Sequence, residues 1–203
     1  MSGVTNNGWY GIASDSTLMQ GDLVDGFPYA VNYQEIPEGA TSVSVNIEVY
    51  NIIILSQSCD LAGDNKIKFV MVCPYWPLEV LSENQAHLQD ENRREAIKRG
   101  YQHNYVILNK NVLDGFEKDF FLVDFKYAFS TPLSYLRTIA AKTDKRLRLK
   151  SPYREYLSQS FAKYVMRVGF DREEEIPNFD DKFRLNRCND CEHHPDNIEV
   201  VRT

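Results

Sequence analysis

The chain lacks the features that define several classes of protein. No apolar run approaches the ~18 consecutive residues that a membrane helix needs. The N-terminal segment MSGVTNNGWYG contains neither the basic region nor the apolar region of a secretory signal. We therefore expect a cytoplasmic protein without a membrane partner. In that compartment its 4 cysteines are not expected to form structural disulfides.

Basic residues are outnumbered, with 23 Lys and Arg against 29 Asp and Glu and a formal net charge of -6. This balance disfavours a protein that coats nucleic acid with its whole surface, while a local basic face stays open. The composition is otherwise globular: 43% hydrophobic and 12% aromatic residues are enough for a core and exclude collagen-like, disordered and disulfide-scaffold classes. Composition shifts along the 203 residues predict an N-terminal arm over residues 1–19, a single globular domain over 20–170 and an acidic tail over 171–203.

Apolar periodicity predicts several strands. Val43, Val45, Ile47 and Val49 alternate with polar residues, which is typical of a half-buried strand. Residues 52–55 are apolar on both faces and β-branched, as expected of a central strand. A third strand over 67–73 is predicted to stop at Pro74, and shorter ones are predicted over 105–108, 120–125, 136–140 and 146–149.

Two helices are predicted. The first runs over residues 82–100, where Ser82 and Gln85 match a capping box and Gly100 suits the position after the helix. The second starts after Ser151, with Pro152 in the first turn and apolar residues at helical spacing up to Gly169. Antiparallel-compatible strands with two helices indicate an α+β, mostly β fold, for which a small barrel closed by a packing helix is the simplest arrangement.

Three short segments resemble the MazF/PemK-type growth inhibitors. They are Gly21-Asp22-Leu23-Val24, Ile52-Ile53-Ile54-Leu55-Ser56 and Phe69-Val70-Met71-Val72-Cys73-Pro74, all within residues 20–76. The resemblance implies an SH3-like barrel, elaborated here with two helices and extra strands, and membership of a bacterial or phage conflict system.

The chain departs from that family where the family cleaves RNA. An Arg-Pro pair precedes the second strand in the family, and a Thr follows the Pro of the third. Here Tyr50-Asn51 and Tyr75-Trp76 stand at those positions. We therefore expect the fold without the activity, because a fold alone does not determine function.

The segment Ser56-Gln57-Ser58-Cys59-Asp60 follows the central strand and is a candidate binding loop. Cys59 is a candidate catalytic nucleophile, for which His87 or His103 would have to act as the base. The alternative is structural: the polar side chains satisfy the backbone of a turn while Cys59 is buried.

Basic residues cluster between positions 137 and 154. Arg146, Arg148 and Lys150 alternate with leucines, so a strand there would present one cationic face, continued by Arg154 and able to follow phosphates. The alternative is an edge strand protected by charge from aggregation. The acidic tail could pair with this basic row and mask it, in which case truncation after Gly169 should increase binding to anionic partners.

The tail carries Cys188, Cys191, His193 and His194. Two thiolates at C-x2-C spacing and a nearby imidazole can hold one tetrahedral zinc ion, which makes zinc the candidate cofactor, with the fourth ligand left open. The alternative is a solvated tail without metal.

Aromatic residues concentrate in the middle of the chain and could form either a stacking platform or core, with core favoured. The set comprises Trp76, Tyr101, Tyr105, Phe120, Phe121, Phe125, Tyr127 and Phe129. Together these patterns predict a non-enzymatic binding or regulatory module for a protein or nucleic-acid partner. A divergent endoribonuclease or a Cys59-dependent enzyme is the alternative.

Overall fold

The computed structural model describes residues 8–31, 45–63 and 66–166. The fold is α+β and is dominated by antiparallel sheets. The strands are β1 (Tyr10–Ala13), β2 (Leu23–Val31), β3 (Asn46–Ile54), β4 (Phe69–Pro77), β5 (Tyr105–Leu108), β6 (Phe121–Asp124), β7 (Phe129–Pro132) and β8 (Arg146–Leu149). The helices are α1 (Ser58–Leu61), α2 (Leu78–Asn84), α3 (Glu91–Lys98), α4 (Leu133–Ala140) and α5 (Tyr153–Val165), with 3-10 turns at Ala86–Leu88 and Phe125–Tyr127.

The strands form two antiparallel sheets. The larger has the order β2-β3-β4-β6-β5, with β7 also paired to β4, and the smaller pairs β1 with β8. A single bridge between Asp22 and Arg148 joins β8 to the start of β2. The described strands do not close into a barrel.

Strand β4 continues through Pro74, where the sequence predicted its end. Pro74 pairs with Ile52 of β3 on one side. On the other side, β7 pairs as far as Val72 and β6 begins at Tyr75, so Pro74 has no partner strand there. Proline is tolerated because it stands where β4 changes partners, and its missing N–H interrupts no ladder on that side.

Strand β3 separates two hydrophobic cores, which confirms its prediction as a central strand. Ile53 points into the first core with residues of β1, β2, β4, β5, β6, β8 and Leu157 of α5. Ile52 and Ile54 point into the second core, which α4 covers. A third, small core lies under α3, where Leu88 and Ile97 meet Tyr105 and Leu122.

The outer half of β3 differs from its prediction. Ile47 and Val49 are each 66% exposed, and their polar neighbours are exposed as well. This part of β3 pairs only with β2, since β4 pairs with β3 at residues 52–54. The alternating pattern correctly predicted a strand, but it wrongly predicted that one face is buried. Among the described residues, no second layer covers this two-stranded ribbon of β2 and β3.

The predicted strand over residues 136–140 is wrong, because these residues belong to α4. Leu133, Leu136, Ile139 and Ala140 are its buried residues. Their spacing of three and four is helical, and it places all of them on the second core.

The predicted helix over residues 82–100 is interrupted. Ser82 lies inside α2 and donates to the backbone of Glu79 instead of capping. Asp90 caps α3 by accepting from the backbone N–H of Arg93. Gly100 follows α3 with a positive φ of 75°, as predicted, and completes a hydrogen-bonded C-terminal turn.

Helix α5 confirms the second prediction from Tyr153 to Val165, except that Pro152 occupies the capping position itself. Residues beyond 166, including the predicted helix end at Gly169 and the acidic tail, lie outside the described residues. At the N-terminal end, residues 10–13 form β1 and Tyr10 is buried in the first core, so this part of the predicted arm belongs to the sheet.

Candidate functional site

The loop at residues 56–60 is held by its own polar side chains. The Ser56 hydroxyl accepts from the backbone N–H of Met71 at 2.9 Å, and the Ser58 hydroxyl accepts from that of Gln20 at 3.1 Å. The Gln57 amide donates to Ser158 of α5 at 3.0 Å. These three side chains therefore anchor the loop to neighbouring elements, in agreement with the structural alternative.

Cys59 is exposed on the short helix α1, so the expectation that the structural alternative would bury it is wrong. Its Sγ lies 3.7 Å from Oδ1 of Asp60, and its carbonyl accepts from Lys66 Nζ at 3.1 Å. Within the described part of the chain no imidazole hydrogen-bonds to this thiol. Among the described contacts, the thiol is therefore joined to Asp60 and to no imidazole that could act as its base.

The basic row on β8 is bound to acidic residues of the N-terminal segment. Asp22 is fully buried and accepts from Nε of Arg146 at 2.6 Å and from Nε and Nη2 of Arg148, the latter at 3.0 Å. Asp15 pairs with the same two guanidinium groups at 3.6 and 3.5 Å. We call Asp15, Asp22, Arg146 and Arg148 the ionic cluster.

Backbone groups complete the ionic cluster. Arg146 and Arg148 both donate to the carbonyl of Thr17, and Arg146 also donates to that of Asp15 at 2.8 Å. The side-chain hydrogen bond to Asp22 raises the pKa of Arg148. Although desolvation acts in the opposite sense, Arg148 and the Thr17 N–H lower the pKa of Asp15. The row predicted to be one cationic face is thus largely committed to internal contacts.

The other two residues of the predicted row are placed differently. Arg154 forms an ion pair with its neighbour Glu155 at 2.9 Å. Lys150 is exposed after the end of β8. Of the four basic residues predicted to bind a ligand, only Lys150 is a solvent-exposed cation without an ion pair in the described region.

The predicted zinc ligands Cys188, Cys191, His193 and His194 all lie outside the described residues. Within residues 8–31, 45–63 and 66–166, no three His, Cys, Asp or Glu side chains are arranged to hold a metal ion. No described helix is both long enough and apolar enough to cross a membrane.

Tyr75 and Asn51, two of the residues at which the chain departs from the MazF/PemK-type motifs, have internal partners. The Tyr75 ring is buried in the first core and its hydroxyl donates to Oδ1 of Asp25. Lys118 donates to the other oxygen of Asp25 at 2.8 Å. The Asn51 side chain accepts from the backbone N–H of Gly26 at 3.1 Å.

Five aromatic rings form an unbroken row that continues the second core onto the open face of the sheet. Successive ring centroids are 5.3, 6.5, 5.9 and 4.3 Å apart. The members, here called the aromatic strip, are Tyr127, Trp76, Tyr50, Tyr29 and Phe129 in that order.

Burial differs along the aromatic strip. Tyr127 is 55% exposed, and Trp76, Tyr50, Tyr29 and Phe129 are half-buried. The sequence favoured core for this aromatic region, which is right for Tyr105, Phe121 and Phe125 and wrong for the exposed Tyr101 and Phe120. It missed the strip because Tyr29 and Tyr50 come from a distant ribbon whose packing no local pattern reveals.

Comparisons with protein-family models, with curated proteins and with solved structures give no match for this chain.

Proposed function

We propose that the chain is a non-enzymatic binding module that uses the aromatic strip to engage a protein partner. The observation that carries the proposal is the continuous row of five partly exposed rings, which begins at the edge of the second core. Tyr and Trp are enriched at the centres of protein interfaces, where they supply large contact areas at a low entropic cost.

The local charges favour a protein over a nucleic acid. Glu48 lies beside Tyr50, accepting from its hydroxyl, which adds a negative charge to the strip. Arg146 and Arg148, the strongest candidates for phosphate contacts, are engaged by carboxylates. Because nucleic-acid affinity depends mainly on cations that neutralise phosphates, a carboxylate beside the strip and two committed arginines support a protein partner.

The contacts at the altered family positions support a role without catalysis. Tyr75 stands where that family has its Thr, and its hydroxyl donates to Asp25 inside the fold. Tyr50 stands where that family has its Arg, and its hydroxyl donates to Glu48, so the catalytic hydroxyl and guanidinium of the family have no counterpart here. Cys59, the other candidate, has only Asp60 as a partner for its thiol among the described residues.

We also propose that the sheets are an open derivative of the SH3-like barrel of the MazF/PemK family. The strand order continues from the smaller sheet into the larger one through the Asp22–Arg148 bridge. At the far end, the Tyr10 hydroxyl of β1 donates to the carbonyl of Asn109, just after β5, at 2.6 Å. Seven strands contribute buried residues to the first core, which supports an arrangement derived from a barrel.

Selection of a displayed random-peptide library on the purified full chain tests the binding role. We expect enriched peptides whose affinity falls about tenfold or more in Trp76→Ala and in Tyr127→Ala, because interface aromatics carry much of the binding free energy. Tyr101→Ala is the matched control, since Tyr101 is 69% exposed and lies outside the strip.

Two results would overturn the proposal. One is the absence of enriched peptides, or peptides that bind the strip variants as well as the wild type. The other is binding or cleavage of a single-stranded RNA oligonucleotide that is lost in Trp76→Ala, which would make the strip a nucleic-acid platform.

A further inference from the structure

A cavity of about 340 Å³ lies between α3, the start of β5 and the 3-10 turn at Phe125–Tyr127. Its lining residues are Arg93, Ile97, Gln102, Asn104, Tyr105 and Lys126. Its volume lies in the range of small-molecule sites.

Arg93 brings the first cation to this cavity. It lies one helical turn before Ile97, which is buried in the third core, so both residues are on the α3 face toward β5. Lys98 and Arg99 on the same helix pair with Glu95. The Arg93 guanidinium has no hydrogen bond or ion pair with any residue that the structure describes, so its donors are free for a ligand.

Lys126 brings the second cation. Its Nζ lies 3.7 Å from Oδ2 of the buried Asp124 and 5.6 Å from the centroid of the Tyr105 ring. The other oxygen of Asp124 accepts from the Asn104 amide at 3.3 Å and from the Lys126 backbone N–H at 3.1 Å. The carboxylate is therefore surrounded by donors and holds Lys126 at the cavity.

The charge balance at the cavity is positive. Arg93 and Lys126 contribute two positive charges, and Asp124, behind the lining, contributes one negative charge. Gln102 and Asn104 add amide groups, while Tyr105 and Ile97 form an apolar floor. Cations with neutral donors around an apolar floor suit an anion that accepts several hydrogen bonds.

We propose that this cavity binds a small phosphate monoester, with Arg93 and Lys126 as the charged contacts. A phosphate dianion matches the planar fork of an arginine, which can donate two parallel hydrogen bonds to it, better than a cationic or purely apolar ligand matches this lining. The aromatic strip contributes no residue to the cavity, so this inference stands apart from the proposed function.

Isothermal titration of the full chain with phenyl phosphate, and separately with inorganic phosphate and acetate, tests the site. We expect saturable binding of phenyl phosphate with a dissociation constant of about 1 mM or lower. Arg93→Gln and Lys126→Gln should each weaken it by about tenfold, as expected for the loss of one charge-assisted contact. Trp76→Ala should leave it unchanged, which separates this test from that of the strip.

Arg94→Gln is the matched control, because Arg94 is an exposed neighbour on α3 that does not line the cavity. If Arg94→Gln weakened binding as much as Arg93→Gln does, anions would be binding non-specifically to the basic helix α3, and the proposal would be wrong. An absence of saturable binding would overturn it too. If acetate bound with the same affinity, the site would not select phosphate monoesters, and this part of the proposal would be wrong.

Discussion

Arg146 and Asp22 are 124 residues apart in the chain, and yet Nε of Arg146 donates to Oδ2 of Asp22 at 2.6 Å with both side chains buried. Arg148 binds the same carboxylate from the same strand. Through Thr17 and Met19, whose backbone groups join these contacts, the pair ties the loop before β2 to β8. The ionic cluster is therefore a long-range connection within the fold.

Neutralising Asp22 should destabilise the protein strongly. Asp22→Asn leaves two guanidinium groups without their shared carboxylate, and removing one partner of a buried ion pair typically costs about 3–5 kcal/mol. Asp15→Asn is the matched control: its side chain is 52% exposed, so we expect a loss within about 1 kcal/mol. Urea unfolding followed by circular dichroism measures both, and equal losses would contradict a central role for Asp22.

Gly21 should be intolerant of a side chain. Its φ is +81°, and an added Cβ would lie 2.9 Å from Cβ of Leu149. Gly21→Ala should therefore cost about 1–2 kcal/mol for the left-handed backbone and about 1–3 kcal/mol for overpacking. Gly26→Ala has a similar φ of +69° but no neighbour within 4 Å, so only the first cost applies. Thermal unfolding of the two variants compares them, and similar midpoints would argue against the Leu149 contact.

Stability should fall at alkaline pH because of Tyr75 and Tyr10. Burial raises the pKa of both side chains, and the adjacent Asp25 raises that of Tyr75 further. A raised pKa in the folded state means that the stabilisation is complete below the unfolded value of about 10 and is lost as the pH rises above it.

The unfolding midpoint measured between pH 8 and pH 11 checks this (a range chosen to span the unfolded pKa of about 10). Tyr75→Phe should flatten the decline, because the group that ionises is gone. Tyr101→Phe, at an exposed tyrosine, should not. An identical decline in all three proteins would rule out Tyr75 as a source.

The two described thiols should react at very different rates. Cys59 is exposed, whereas Cys73 is fully buried and its thiol donates to the carbonyl of Asp124 at 3.1 Å. Burial and the nearby Asp124 also raise the pKa of Cys73. Because the thiolate is the reactive form, alkylation with iodoacetamide and peptide mapping should find Cys59 modified in the native protein and Cys73 only after unfolding. Modification of native Cys73 would contradict its placement.

Local patterns correctly predicted the elements in which the spacing of apolar residues matches the buried face. Residues 105–108 and 146–149 form the predicted strands, and α5 begins at Tyr153 as its helical spacing indicates. The local pattern was misleading at residues 136–140, where a short apolar segment fits both a strand and a helix. Leu136 and Ile139 are three residues apart, which is the helical spacing that the structure shows. The local pattern also failed at Pro74, whose tolerance depends on where β4 changes partners.

The candidate site depended on contacts between distant residues. Arg146 and Arg148 do alternate with leucines on β8, as predicted. Their guanidinium groups, however, are paired with Asp22 and Asp15, which lie more than a hundred residues away in the chain. The aromatic strip likewise joins Tyr29 and Tyr50 of the ribbon to Trp76 and Tyr127.

By itself the sequence determined the α+β composition, the central strand at residues 52–54 and the main helix, because side-chain periodicity reports burial within a single element. Only the tertiary structure decided which charges are neutralised inside the fold and which aromatic rings meet on an open face. Those outcomes depend on pairing between segments far apart in the chain, and no local pattern carries that information.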